Sequence, residues 1–337
     1  MSFDARDLGA MSSGAYTEND KGDHLMTGLP LLVVGHGTRS DSGVAEFNAF
    51  MQRLQRRQDV PYRAAAGGFI ELSRPPVTEA VASLVGQGHR ELIALPLVLV
   101  AAGHGKGDIP AALLREQMRH PGMSYSYGRP LGPHPGLLDI LERRIEKVLG
   151  LAERADTHVL LVGRGSTDPD ANAEIAKVAR MLWEGRGYAS VEPSFVSLAD
   201  PGVPAGLEKL RRLGAERIIV APYFLFPGVL PDRIFSQTAA FASEHPDLTI
   251  GVAELIGDCD ELADLVIERY LEAVHGDIRM NCDTCIYRAS MPGFGDRVGQ
   301  PQRPHHHPDD AGHGPGHDHS DHSDHSGHSG HSGHGHS

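Results

Sequence analysis

The chain has 337 residues, a mass of 36.2 kDa, a formal net charge of -13 and a pI near 5.9. So acidic a composition argues against a general nucleic-acid surface, and the lack of any run of about 18 apolar residues predicts no membrane-spanning helix. Three cysteines, two of them in Cys282-Asp283-Thr284-Cys285, argue against a disulfide framework and for a reducing compartment.

Residues 1–28 are polar, rich in Gly, Ser and Asp and without periodicity, so a disordered tail is expected. They contain neither a basic start nor an apolar stretch and do not read as a secretory signal, so with the reduced cysteines a cytoplasmic location is expected. Residues 29–39, LPLLVVGHGTR, are an apolar run without polar alternation, which predicts a strand buried on both faces and ending at Gly35-His36-Gly37. Residues 44–54 have helical spacing. Residues 63–72, RAAAGGFIEL, read as a second strand closed by Ser73-Arg74-Pro75-Pro76. A helix over 77–86 follows, stopped by Gly86 or Gly88. Residues 91–101, ELIALPLVLVA, are a third buried strand leading into Ala102-Gly103-His104-Gly105. A helix over 109–119, a short strand over 124–129 and a helix over 137–149 complete the series, with His134 read as a turn residue. Strands alternating with helices of this length predict βαβ units and a parallel sheet.

The pattern then repeats. Residues 157–167 copy 29–39, residues 194–201 copy 68–75, residues 217–229 copy 91–104, and residues 256–259 echo 131–134. A period of about 125 residues is far beyond solenoid lengths and indicates a duplicated domain. The expected architecture is α/β, with two doubly wound parallel-sheet domains, 29–150 and 151–276, facing a cleft. A CxxC segment and a disordered tail fill 277–337.

Between the copies, Arg164 stands where the first half has His36, Ser197 where it has Glu71, and Val229 where it has His104, the last pair open to a slip of one residue. Gly35/Gly163, Pro75/Pro201 and Gly103/Gly228 persist while all three ionisable groups are replaced. That contrast marks His36, Glu71 and His104 as the candidate chemistry and leaves the second half catalytically empty. In open α/β sheets ligands bind at the carboxyl ends of strands, where all three lie. Two imidazoles and a carboxylate suit Co²⁺, Ni²⁺, Fe²⁺ or Zn²⁺, and they suit proton removal near neutral pH.

GHGTR after the first strand, FIEL-SRPP after the second and AAGHGKGDIP after the third resemble the sirohydrochlorin chelatases, which are class II tetrapyrrole chelatases. The resemblance spans residues 29–288 and extends to the long duplicated form, with its trailing MNCDTCIYR and His-rich end. It implies insertion of Co²⁺ or Fe²⁺ into sirohydrochlorin with release of two protons and no nucleotide, in cobalamin or siroheme synthesis. The long form leans towards cobalt. The family's two histidines fall on His36 and His104 and its acidic residue on Glu71, as metal ligands and proton acceptors. Its first motif usually reads His-Gly-Ser-Arg, and Thr38 keeps the hydroxyl. A substrate rich in carboxylates calls for local positive charge, which Arg39, Arg74, Lys106 and Arg164 are expected to supply.

Long-form members also resemble this chain at Cys282 and Cys285, in a segment associated with an iron–sulfur centre. Two thiolates fall short of the four ligands a cluster takes, so a cluster shared between the subunits of a homodimer would fit. Cys259 reads as a buried or capping thiol. The tail holds 12 of the 21 histidines and reads as a metal reservoir, which makes a metal-storage or delivery protein the rival function. An α/β-hydrolase would need a G-x-S-x-G elbow, which the sequence lacks. A bilobal solute-binding protein would need an export signal.

Overall fold

Leu31, Leu32, Val33 and Val34 are each 0% exposed, as only a central strand covered on both faces allows. They form β1 (Leu31–Gly35) in a computed structural model that describes residues 28–276 together with 290, 292 and 295–297. Residues 1–27, Cys282, Cys285 and the His-rich end lie outside the described residues. The first half continues with α1 (Asp41–Arg56), β2 (Ala65–Phe69), α2 (Val77–Gly86), β3 (Glu91–Pro96), α3 (Ile109–Arg119), β4 (Ser124–Tyr127) and α4 (Pro135–Leu149). The second half is β5 (Thr157–Gly163), α5 (Pro169–Trp183), β6 (Ser190–Phe195), α6 (Val203–Arg212), β7 (Arg217–Pro222), α7 (Val229–Glu244), β8 (Thr249–Val252) and α8 (Asp260–His275). Among the described residues no helix is long and apolar enough to cross a membrane.

Both sheets are parallel and share one topology, β2-β1-β3-β4 and β6-β5-β7-β8. The order reverses between β1 and β3, and again between β5 and β7, which opens a crevice at the carboxyl ends of those strands. β2, β3 and β4 are shorter than the sequence suggests, β4 ending at Tyr127 rather than at 129. β2 stops at Phe69, because the chain turns at Leu72 with φ 64. β3 stops at Pro96, since its neighbours β1 and β4 end at Gly35 and Tyr127; beyond it Leu97 N still reaches Val34 O at 2.8 Å, and Val98 O and Leu99 O accept from Leu131 N and Gly132 N at 2.9 and 3.1 Å. The repeat register also shifts after β3. Lys106 N donates to Ala102 O and Asp232 N to Gly228 O, so His104 pairs with Leu230 and Gly103 with Val229, one residue from the expected partners.

Alternate side chains of each central strand enter different cores. Leu31 and Val33 join Val159 and Leu161 in one core shared by both halves, together with residues of α1, α4, α5 and α8. Leu32 and Val34 pack with α2 and α3, and Leu160 and Val162 with α6 and α7. The last helix of each half covers the sheet of the other: α4 packs on β7 and β8, and α8 on β3 and β4. Glycine admits this exchange on the α4 side. A Cβ at Gly251 would sit 2.4 Å from Val148 Cγ1 of α4, while at the equivalent Gly128 a Cβ would collide with Leu95 of its own sheet, 2.2 Å away, and α8 approaches only to ordinary contact.

The exchange is pinned by matched arginines. Arg269 donates to Pro130 O at 3.0 Å and Leu131 O at 2.7 Å. Arg144 donates to Leu255 O at 3.1 Å and Ile256 O at 2.9 Å, the same carbonyls of the other repeat. An adjacent ion pair keeps its place with reversed sign: Arg129 with Glu272 at 2.7 Å on one side, Glu254 with Lys147 at 2.9 Å on the other. Each half is thereby completed by the other.

Candidate active site

The register of β1 and β2 sets Gly35 opposite Phe69, and the pairing runs on past both strands. Ile70 N donates to Gly35 O at 3.0 Å and Glu71 N to His36 O at 3.1 Å. This brings the two side chains together, with His36 Nε2 and Glu71 Oε1 2.8 Å apart. Gly37 makes the approach possible: its φ is 109, and a Cβ there would lie 1.9 Å from Glu71 O. Ser73 closes the loop pair, its hydroxyl accepting from Thr38 N at 2.8 Å and donating to Thr38 O at 2.5 Å. His36 Nδ1 lies 3.0 Å from Gly37 O. With Nδ1–H donated to that carbonyl, the Nε2 lone pair faces a carboxylate oxygen. Atoms this close share a hydrogen, carried by the ring or by the carboxyl, or bind one metal ion between them.

His36 opens onto a cleft of about 420 Å³ between the halves. Gly35, His36 and Thr38 line one wall, and Arg164, Thr167 and Leu198 the other. The base is aromatic. Phe47 and Phe69 have ring centroids 4.2 Å apart, and Phe226 of the second half stands 6.5 Å from Phe47 and 6.0 Å from Phe50. Gly43 lets that wall approach, since a Cβ there would lie 2.3 Å from Pro227 O. An apolar floor beneath a polar rim suits a flat ring with charged edges.

His104 begins a single π turn, His104–Asp108, ahead of α3, and its side chain lies outside the described residues. Gly103 and Gly105 on either side line the cleft, and Tyr127 Oη anchors the turn by donating to Gly105 O at 2.8 Å. π turns of this kind occur often at functional sites.

The four expected cations differ in circumstance. Arg164 lines the cleft at the position equivalent to His36. Arg39 is exposed. Arg74 is exposed and paired with Glu79 at 3.2 Å. Lys106 crosses between the halves to Asp168 at 2.7 Å and Asp170 at 2.9 Å. The Lys106 ammonium, donating to Oδ2, holds the Asp168 carboxyl below the usual carboxylate range, while Oδ1 caps α5 by accepting from Asp170 N at 3.1 Å. Asp168 and Asp170 were not legible as partners of Lys106. Asp-Pro-Asp at 168–170 signals only a helix start. His134 caps α4, accepting from Gly136 N at 3.1 Å and lying 3.3 Å from Glu268, whose carboxyl it draws down. Cys259 precedes α8 as a half-buried thiol, pushed up by burial.

Comparison with known proteins agrees with the duplicated fold. The CbiX family model matches residues 30–148 and again 158–273. A sirohydrochlorin cobaltochelatase of Priestia megaterium is 34% identical over 272 residues, covering 80% of this chain and 87% of the relative. A sirohydrochlorin ferrochelatase of the same organism is 30% identical, over 70% of this chain and 87% of its own length. SirB from Bacillus subtilis, solved with Fe³⁺, aligns with a TM-score of 0.65 at 26% identity, over 74% of this chain and 98% of that one. The sirohydrochlorin chelatase SirB of Bacillus subtilis subspecies spizizenii, in complex with cobalt, aligns with a TM-score of 0.62 at 25% identity, over 74% and 96%. Matched along both of its halves, the chain belongs to the CbiX family.

Proposed function

We propose that this chain inserts a divalent metal, Co²⁺ or Fe²⁺, into sirohydrochlorin with release of two protons and without a nucleotide. The observation that carries the reading is the pairing of His36 Nε2 with Glu71 Oε1 at 2.8 Å, on a cleft whose opposite wall presents Arg164. The metal is a substrate here. At metal–ligand distances of about 2.1 Å, two donors this far apart subtend roughly a right angle, as neighbouring ligands of one ion do. So few protein ligands hold a metal loosely enough to pass it on. His104, from the adjoining turn, is assigned as a further ligand.

When the macrocycle takes the metal, two pyrrole N–H protons must leave. The vacated Nε2 and the Glu71 carboxylate are then the bases beside them. The aromatic floor receives the ring, and Arg164 and Arg39 meet its carboxylates. Lys106 and Arg74 join them by exchanging an aspartate or glutamate partner for a substrate carboxylate. The region 29–150 thus carries the chemistry and the region 151–276 the opposing wall. Imidazole and carboxylate accept both Co²⁺ and Fe²⁺, and the relatives include enzymes named for each metal.

The test is the absorbance of sirohydrochlorin incubated anaerobically with the chain and Co²⁺ or Fe²⁺. The expected result is conversion to the metallated spectrum well above the uncatalysed rate. No acceleration with either ion would contradict the proposal.

A further inference from the structure

Among the described residues, two that are not glycine take left-handed backbone, Leu72 with φ 64 and Leu198 with φ 61. They are equivalents in the repeat, each three residues ahead of its proline, Pro75 or Pro201. Leucine is poorly suited to this conformation, because its Cβ is crowded against the backbone, whereas glycine or asparagine would fit. Packing does not repay that strain, since Leu72 is 50% exposed and Leu198 61% exposed. The residues around them differ between the copies, Glu71 against Ser197, Ser73 against Ala199 and Arg74 against Asp200, yet leucine stands at both positions. It stands there even in the half that lacks counterparts of His36 and Glu71, so the side chain serves something other than the chemistry.

The location says what. Leu198 lines the cleft. Leu72 lines an open hollow that shares Phe69 with the cleft, and its Cβ lies 3.5 Å from the position a Cβ on Gly37 would take, beside the His36 loop. A strained backbone at an exposed functional edge fixes a side chain's direction without neighbours to hold it. We infer that Leu72 and Leu198 are substrate-binding residues, one from each half, that contact the flat apolar ring of the macrocycle while the arginines meet its carboxylates. The inference rests on the reading of the chain as a tetrapyrrole chelatase. Their exposed surface is buried only when the ring arrives, and covering about half a leucine side chain corresponds to roughly a tenfold gain in affinity.

The experiment titrates full-length chain with sirohydrochlorin in the absence of metal and follows metal insertion in parallel, for wild type, Leu72→Gly, Leu198→Gly and the double variant. Each single variant is expected to raise Kd and KM about five- to tenfold with kcat within about twofold, and the double variant to compound the loss. Leu198→Met, which keeps an apolar side chain, is expected to retain near-wild-type affinity. Leu72→Asn and Leu198→Asn tolerate the left-handed backbone and are expected to weaken binding as the glycine variants do, so they carry the test if a glycine variant unfolds. Unchanged Kd in the double variant, with wild type binding and turning over, would overturn this inference alone. Wild type that binds no sirohydrochlorin would overturn the functional reading and this inference with it.

Discussion

The loop after β1 and the loop after β5 share a backbone and differ in what they carry. In the first, His36 O accepts from Glu71 N at 3.1 Å, and a Cβ on Gly37 would collide with Glu71 O. In the second, Arg164 O accepts from Ser197 N at 3.0 Å, and a Cβ on Gly165 would collide with Ser197 O. The glycine and the backbone bonds build the loop. The side chain between the glycines gives it a use, and one copy holds an imidazole beside a carboxylate while the other holds a guanidinium. One scaffold thus presents an imidazole beside a carboxylate on one side of the cleft and a guanidinium on the other, with α4 and α8 exchanged between the halves.

Breaking that comparison begins with the carboxylate. Glu71→Gln keeps the shape and removes the charge, and kcat for metal insertion should fall about 10²-fold. Ser197→Ala, at the same place in the other loop, should leave kcat within about twofold in the same assay. The helix exchange offers the next contrast. Arg269 is 1% exposed, and Arg269→Met would orphan two carbonyls and disturb a buried ion pair, costing about 3 kcal/mol. Arg144→Met, at the more open end of the same motif, should cost about 1 kcal/mol, with urea unfolding midpoints as the readout for both.

The smallest effect concerns the tie between the halves. Lys106 draws the Asp168 carboxyl down, so its folded pKa lies below the unfolded one. The contribution to stability is fully present above the unfolded value of about 3.9 and is lost as pH falls through the lowered folded value. Melting curves of wild type and Lys106→Met should differ slightly at neutral pH, converge towards pH 2–3 (roughly the range below that value) and converge also at high salt.

Much of the fold is legible in the sequence. The run before Gly35 could only be a doubly covered strand, and the bounds of α3 follow from its apolar spacing. The copying of Gly35, Pro75 and their surroundings revealed the duplication, and the replacement of His36 and Glu71 in the second copy singled them out. What stayed hidden depends on distance in space. An amphipathic helix fits either sheet, so nothing in α4 or α8 says that each crosses to the other half. Lys106 finds its partners 62 and 64 residues away, where Asp168 and Asp170 look like ordinary helix-start residues. Leucine carries no signal for left-handed backbone, so Leu72 and Leu198 read as strand ends. The repeat does carry one signal for them, a leucine in both copies between residues that change.

The central claim is that the chemistry belongs to the first half and that the second half contributes to binding alone. Metal insertion measured across a range of sirohydrochlorin concentrations, for His36→Ala and Arg164→Ala side by side, tests it most directly. For His36→Ala the account predicts kcat lower by about 10²-fold or more with macrocycle binding retained. For Arg164→Ala it predicts near-wild-type kcat with KM raised about tenfold. Equal losses of kcat in both variants, or wild-type turnover by His36→Ala, would contradict it.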